Sequence, residues 1–153
     1  MTQSENGESG AIPLNTMRVA IELQIPSDVR YIESVVELVT RQCEQLAYTA
    51  RHCALNVPVA LTEALSNAIL RGNLESGHKR VRVRAEVDHQ TLVLEVSDEG
   101  EGFDLDGCTI DPTEGDNVHR EDGRGLFLMR RLMDTVERFS NGGNVVRLTL
   151  RRA

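Results

Sequence analysis

Aromatic residues are scarce in this sequence: its 153 residues include two Tyr, three Phe and no Trp. The core must therefore be built from aliphatic side chains. Proteins that bind single-stranded nucleic acid stack bases on aromatic rings, so the scarcity argues against that class. The formal net charge of −7 argues the same way, because contact along a phosphate backbone usually needs a basic surface. We expect no direct nucleic-acid partner.

Signals for disulfides, zinc binding and membrane insertion are also missing. The three cysteines, Cys43, Cys53 and Cys108, are odd in number and form no CxxC pair, which disfavours a disulfide framework or a zinc site. Residues 1–11 are polar and lack the basic start and apolar run of a secretory signal. No apolar stretch is expected to approach the ~20 residues that cross a bilayer. The sequence therefore predicts a cytoplasmic protein with no membrane partner.

Apolar periodicity predicts one folded domain. Residues 1–15 are predicted to be a disordered tail, which leaves a domain at 16–153. Alternating apolar residues predict strands, and three- or four-residue spacing predicts helices. The predicted elements begin with a strand at 17–25 stopped by Pro26 and a helix at 29–50 capped by Ser27. A second helix is predicted from Asn56–Pro58, with Asn56 as its cap, to about Arg71, where a Gly72–Asn73 breaker ends it. Strands at 81–87 and 92–96 are predicted to form an antiparallel hairpin, followed by a helix from Leu126 and a last hairpin of strands at 136–139 and 146–150.

Each predicted strand has one apolar face and one polar face. In 81–87, for example, valine and alanine alternate with arginine and glutamate. A sheet with one wet side and helices stacked on the other satisfies this pattern. We therefore predict an α+β fold: a two-layer α/β sandwich with a mixed, mostly antiparallel sheet and helices on one face. A doubly wound parallel sheet is disfavoured because its strands are apolar on both faces.

Between Gly100 and Gly125 the sequence has no periodicity and is rich in glycine and acidic residues. Aperiodic stretches of this length are uncommon inside a compact domain, and a functional lid is one standard reason for them. We expect a mobile lid here.

Three short segments carry groups that suit chemistry. On the second predicted helix Glu63 and Asn67 are four residues apart, so their side chains lie on one face, and Arg71 continues the row. A carboxylate that accepts a proton beside an amide that ligates a hard cation is the functional interpretation. A solvated stripe on an amphipathic helix is the common alternative for such a spacing taken alone.

The second segment, Asp98-Glu99-Gly100-Glu101-Gly102, follows a predicted strand. Its glycines let the backbone approach a flat ligand, and Asp98 can accept a hydrogen bond from an exocyclic amine. A glycine-rich turn capped by Asp98 is the structural alternative.

The third segment, Gly123-Arg124-Gly125-Leu126, opens a predicted helix. Free amides and the positive end of the helix dipole could face an anion there, and Arg124 adds a cation. The alternative is that the two glycines merely relieve crowding. The Rossmann and P-loop patterns do not fit, since G-x-x-x-x-G-K-[ST] is absent.

Together the segments resemble the N, G1 and G2 boxes of the GHKL superfamily of ATPases and kinases. Glu63-Ala64-Leu65-Ser66-Asn67-Ala68 is similar to the N box, 98–102 to G1 and 123–126 to G2. The resemblance covers about Met17 to Leu150 and implies the histidine-kinase-like ATPase fold. Within the superfamily, the sequence most resembles the serine-protein kinases that bind and inhibit sigma factors.

That resemblance implies ATP and Mg²⁺ as cofactors and gives each residue a role. Glu63 would be the general base and Asn67 a Mg²⁺ ligand. Asp98, Gly100 and Gly102 would form the adenine pocket. The phosphates would be held by Gly123, Arg124, Gly125 and the amides near Leu126, beneath a lid at roughly 104–122. Arg71 stands where many relatives have a histidine.

The same resemblance implies partner switching between a sigma factor and a STAS-domain anti-anti-sigma protein, with a homodimer expected. Two alternatives stay open. One is the catalytic domain of a histidine kinase, although no hairpin helix bearing a phospho-accepting histidine is evident. The other is a non-catalytic ATP-binding regulatory module, because Glu63 supports catalysis without proving it.

Overall fold

A computed structural model describes residues 16–100 and 121–152 of the protein. In this part the chain forms three α-helices and five strands, which in order are β1 (Arg18–Pro26), α1 (Ile32–Gln45), α2 (Val57–Asn67), β2 (Arg80–Asp88), β3 (Thr91–Ser97), α3 (Glu121–Leu132), β4 (Thr135–Ser140) and β5 (Asn144–Arg151). A 3-10 turn (Val29–Tyr31) precedes α1, and π-helical turns (His52–Asn56 and Ala68–Gly72) extend α2 at both ends. The predicted tail and most of the predicted lid lie outside the described residues.

The strands form one sheet in the order β1-β2-β3-β5-β4. We expected a mixed sheet, but all four pairings among these strands are antiparallel. Short turns join β2 to β3 and β4 to β5, and a short turn can only connect antiparallel neighbours. Burial alternates along β2 and β3, as the sequence predicted, so one face is apolar and the other polar.

An aliphatic core lies between the sheet and the helices, as the scarcity of aromatic residues predicted. Residues of α1, α2 and α3 pack in one cluster with the apolar face of the sheet. Its largest fully buried side chains are Leu46, Leu61, Leu65, Ile69, Leu92, Leu94, Leu126, Met129 and Leu148. Because the helices cover one face only, the predicted two-layer α+β architecture is confirmed.

The helix that runs from His52 to Gly72 is 21 residues long and, by length and composition alone, apolar enough to cross a membrane. This corrects the expectation that no stretch would reach that length. Val57, Leu61 and Leu65 of this helix are fully buried in the core, and its neighbours are α1 and α3. A central helix packed on several sides needs such a composition to fill a core.

Two helix boundaries differ from the prediction. α1 ends at Gln45 instead of continuing to Ala50, and Ala47 has a left-handed backbone (φ 64°) that is incompatible with a continuing helix. α3 begins at Glu121, well before the predicted start at Leu126. The predicted glycine-rich entrance of this helix therefore lies inside it.

Neither residue that we expected to cap a helix does so. Ser27 Oγ donates to the Lys79 carbonyl at 2.7 Å, while the neighbouring Asp28 carboxylate accepts the Arg30 N–H at 2.9 Å and forms the cap. Asn56 has helical dihedral angles, and its Nδ2 donates to a main-chain carbonyl at the end of α3 at 2.7 Å. Both side chains make contacts between distant segments, which local patterns do not reveal.

Both predicted hairpins are confirmed. At the β2–β3 turn, Asp88 Oδ1 accepts the N–H groups of Gln90 and Thr91, each at 2.8 Å. The β4–β5 turn contains Gly142, whose φ of 73° lies in the region that favours glycine. Pro26, expected to stop the first strand, is instead its last residue. β1 is an edge strand, where the missing N–H of proline is tolerated.

Candidate functional site

Asp98 lies directly after β3 and is only 7% exposed. Its Oδ1 accepts the Gly100 N–H at 2.8 Å, the Asn144 side-chain amide at 2.9 Å and the Asn144 N–H at 3.3 Å. Three donors on one oxygen fix the orientation of the carboxylate. A carboxylate held through one oxygen can accept a ligand amine with the other.

Two glycines allow the end of the helix that runs from His52 to Gly72, called the long helix below, to contact the segment that contains Asp98. A Cβ atom at Gly72 would overlap the Asp98 carboxylate, and a Cβ at Gly100 would overlap the Gly72 carbonyl. Any side chain at either position would force these segments apart. The carboxylate that we predicted to bind adenine is therefore packed against the helix that carries Glu63 and Asn67.

Glu63 and Asn67 lie half-buried on the face of α2 that meets α3. A Cβ at Gly125 would sit 3.0 Å from Glu63 Oε1 and 3.6 Å from Asn67 Nδ2. Gly125 thus leaves room for both polar side chains between the two helices. This contact brings the first and third predicted segments together.

The Asn67 side chain fits a ligand-binding role. Its Nδ2 atom is buried and has no hydrogen-bond partner in the part of the chain described here. A buried amide without a partner costs free energy, so such groups call for an explanation, and a missing ligand is one. The unpartnered Nδ2 donor fits a hydrogen-bond acceptor between α2 and α3, such as a phosphate oxygen, and Mg²⁺ would be bound by the Oδ1 atom of the same amide.

The other predicted site residues differ in exposure and in their position in the fold. Arg71 and Arg124 are exposed, at the end of the long helix and near the start of α3. Leu126 is a core residue, 1% exposed, so only its backbone could face a ligand. Gly123 is the third residue of α3. Gly102 lies outside the described residues.

The early start of α3 changes the setting of the third predicted segment. Residues 123–126 all lie within the helix and do not form a glycine-rich entrance to it. The structure gives Gly125 its own reason to be glycine, which is its close approach to Glu63.

Two asparagines beside Asp98 were not among the predicted site residues. Asn144, the first residue of β5, supplies two of the three donors to Asp98 Oδ1. Asn73, interpreted only as part of a helix breaker, is fully buried and accepts the Glu99 N–H at 2.8 Å. The only local signal for Asn144 was its position at the start of β5, directly after the turn that contains Gly142.

No group of three or more His, Cys, Asp or Glu side chains that could hold a metal occurs in 16–100 or 121–152. A magnesium ion at Asn67 would therefore take most of its ligands from phosphate oxygens and water. That is the usual mode for Mg²⁺ at nucleotide sites.

Comparison with known proteins gives a consistent result. The histidine kinase-like ATPase domain family matches residues 25–150. The serine-protein kinase RsbW of Bacillus velezensis is 31% identical over 134 residues, which cover 84% of this chain and 83% of the relative. RsbW of Bacillus subtilis is 28% identical over 134 residues with the same coverage.

Among solved structures, the RsbU and RsbW domains of Rv1364c from Mycobacterium tuberculosis align with a TM-score of 0.63 at 14% identity. The match covers 87% of this chain and 32% of that longer chain. At this identity the likeness shows the fold alone, and it confirms the predicted histidine-kinase-like ATPase fold. The sequence matches carry the family assignment: this chain belongs to the histidine kinase-like ATPase domain family and, within it, to the RsbW serine-protein kinases.

Proposed function

We propose that this protein is an ATP-dependent serine/threonine protein kinase that phosphorylates a STAS-domain anti-anti-sigma protein and, by partner switching, acts as an anti-sigma factor. One observation carries the proposal: segments far apart in the chain meet around α2. Gly125 lies beside Glu63 and Asn67, and Gly72 lies beside Asp98. Membership of the RsbW serine-protein kinases supports the reaction type.

In this proposal Asp98 recognises the base. Its Oδ1 is occupied by protein donors, so its Oδ2 accepts a hydrogen bond from the exocyclic amine of adenine. Gly100, whose close packing on Gly72 admits no side chain, and Gly102 are assigned to the adenine pocket by the resemblance of 98–102 to the G1 box. Guanine presents a carbonyl at the corresponding position, which a carboxylate repels, so the site prefers ATP over GTP.

The triphosphate lies between α2 and α3. Asn67 would hold Mg²⁺, which would supply positive charge to neutralise the phosphates. Gly123 and Arg124 are assigned to the phosphates by their resemblance to the G2 box, and Arg124, exposed on α3, places a positive charge there. Gly125 and Leu126 complete the turn that shapes this end of the pocket, and Arg71 supplies a cation at its edge.

Glu63 is the general base. Its carboxylate takes the proton from the attacking serine hydroxyl while the serine oxygen forms a bond to the γ-phosphorus. The bond from that phosphorus to the bridging oxygen breaks, and ADP leaves. Such catalysis depends mainly on positioning and charge neutralisation, which the rigid contact between α2 and α3 supports.

Calorimetric titration of the purified full chain with ATP and Mg²⁺ tests the nucleotide site. We expect saturable heat with ATP and a weaker response with GTP. Absence of any heat with ATP would overturn the proposed function.

Labelled ATP and a panel of STAS-domain proteins test the transfer. We expect phosphoserine on at least one panel member. Tight ATP binding without transfer to any of them would instead favour the non-catalytic regulatory module. Phosphohistidine on the chain itself would favour the histidine-kinase alternative.

The proposal also covers the oligomeric state, the cellular location and the partners of the protein. We propose a homodimer that acts in the cytoplasm and contacts a sigma factor, with no direct nucleic-acid or membrane partner. Pull-downs from native lysate with and without ATP, together with light scattering, test the partners and the dimer.

A further inference from the structure

Asn73 is a fully buried amide whose polar groups are all used. It follows the last turn of the long helix, where its N–H donates to the Ala68 carbonyl at 2.8 Å. Its Nδ2 donates to Ser27 Oγ at 2.9 Å and to the Arg80 carbonyl at 3.0 Å. Its Oδ1 accepts the Glu99 N–H at 2.8 Å. One side chain therefore joins the end of β1, the start of β2 and the segment after β3.

Further hydrogen bonds lock the partners of Asn73 to one another. Ser27 Oγ donates to the Lys79 carbonyl at 2.7 Å. The Arg80 N–H donates to Glu99 Oε2, also at 2.7 Å. The Arg80–Glu99 bond is exposed, whereas Asn73 and Ser27 are buried. A shift that breaks the bonds of these two side chains leaves a buried polar group without a partner, so their bonds rigidify the surroundings.

This network lies beside the two residues of the proposed adenine pocket, Asp98 and Gly100. Glu99 lies between Asp98 and Gly100, so a bond to the Glu99 N–H fixes the backbone on which both neighbours depend. Gly72, the residue before Asn73, is the one that packs against the Asp98 carboxylate. Asn73 thus controls the distance between the helix bearing Asn67 and the carboxylate of Asp98.

We propose that Asn73 is a positioning residue of the nucleotide site: by clamping the Glu99 amide to the end of the long helix, it sets how Asp98 faces the base. This inference rests on the proposed function, since it assumes that Asp98 reads adenine. It assigns to Asn73 an effect on base selectivity, which a residue that only ends a helix does not have.

The test measures the Kd for ATP and for GTP, each with Mg²⁺, in the full chain below its unfolding temperature. Asn73→Ala releases the Glu99 amide, and we expect the ratio of the GTP to the ATP Kd to fall about tenfold, the effect of one well-placed hydrogen bond. Ser27→Ala is the matched control: it removes two bonds of the same network but leaves the Asn73–Glu99 bond. It should lower the unfolding temperature without changing the ratio.

Failure of this inference can be distinguished from failure of the proposed function. If Asn73→Ala does not fold, Asn73→Ser takes its place, because its hydroxyl can be solvated but is too short to hold the Glu99 amide. A ratio that stays at the wild-type value in the folded variant, or that falls equally in Ser27→Ala, overturns the inference and leaves the proposed function intact. Failure of the wild-type chain to bind ATP overturns both.

Discussion

Glu63 and Asn67 differ from an ordinary polar stripe in what they face. On a surface helix such residues point to solvent, whereas here both lie against Gly125 of α3. The buried, unpartnered Nδ2 of Asn67 marks the same place. The i, i+4 spacing of this pair fits a solvated surface and a functional site equally well. At the scale of single residues, the contact with α3 is the observation that favours the functional site.

Replacing Glu63 by Gln removes the proton acceptor but keeps the shape of the side chain. We expect phosphotransfer to a STAS-domain acceptor to fall by at least about a hundredfold, the lower range for loss of a general base, with an ATP Kd near that of the wild type. Glu44→Gln, on the exposed side of α1, is the control and should transfer normally. Undiminished transfer by Glu63→Gln would remove Glu63 as the base.

Asp98→Asn separates recognition from folding. The new side chain keeps an oxygen for the three donors that now hold Oδ1, but it presents an NH₂ group where the free oxygen stood. We expect ATP affinity to fall about tenfold or more with little change in unfolding temperature. Asp88→Asn is the control, since Asp88 also accepts two main-chain N–H groups in a turn, far from the site. Equal ATP affinity in the two variants contradicts the role given to Asp98.

At the scale of elements, the helix from His52 to Gly72 organises the site. Its middle carries Glu63 and Asn67, and its end packs against Asp98. A rigid helix therefore fixes the separation between the groups proposed for the phosphates and for the base. The glycine at its end is required for a contact, not for helix termination alone.

Gly72→Ala tests this contact. The added Cβ would overlap the Asp98 carboxylate, so we expect a loss of about 1–3 kcal/mol in unfolding free energy, as for other overpacked sites, and weaker ATP binding. Gly77→Ala is the matched control, because a Cβ at Gly77 meets no atom within 4 Å. Chemical denaturation and calorimetry measure the two effects. Wild-type values for Gly72→Ala would mean that the helix end and Asp98 do not pack as described.

At the scale of the whole molecule, the aliphatic core carries the stability and the polar sheet face adds little. On that face Arg147 bonds Glu95 at 2.7 Å and lies 3.7 Å from Glu137. Ion pairs with this much solvent access contribute at most about 1 kcal/mol each. Burial of leucine, valine and methionine side chains contributes about 1.5–3 kcal/mol per residue. The fold therefore depends on the contact between helices and sheet.

The ionisation of Cys43, a core residue, makes the stability of the fold depend on pH. Burial raises the pKa of its thiol from the ordinary value of 9.0 to about 12. The unfolded chain loses this proton near pH 9 and the folded chain does not, so stability is intact below pH 9 and declines as pH rises toward 12. We expect Cys43 to contribute a decline of up to about 1.4 kcal/mol per pH unit. Urea unfolding across this range measures it.

The control for this prediction is Cys43→Ala, which starts from a lower stability but should decline less steeply, since Cys53 and Tyr48, whose pKa values burial also raises, remain. Equal slopes in the two proteins would show that Cys43 does not titrate on unfolding.

The sequence by itself determined the class of fold and both hairpins, and it predicted the three segments of the candidate site. Apolar periodicity and the positions of glycine are properties of the local sequence, so both can be read before the structure is known. The residues proposed for catalysis and nucleotide binding remain predictions that the experiments above address.

Tertiary structure decided the rest. Asn73 bonds Ser27, and Asn144 bonds Asp98, each across a separation of 46 residues, and no local pattern encodes such a pair. The early start of α3 and the early end of α1 were likewise not predicted from local periodicity. Which glycines make contact and how Asp98 is held were both settled by segments that meet only when the chain folds.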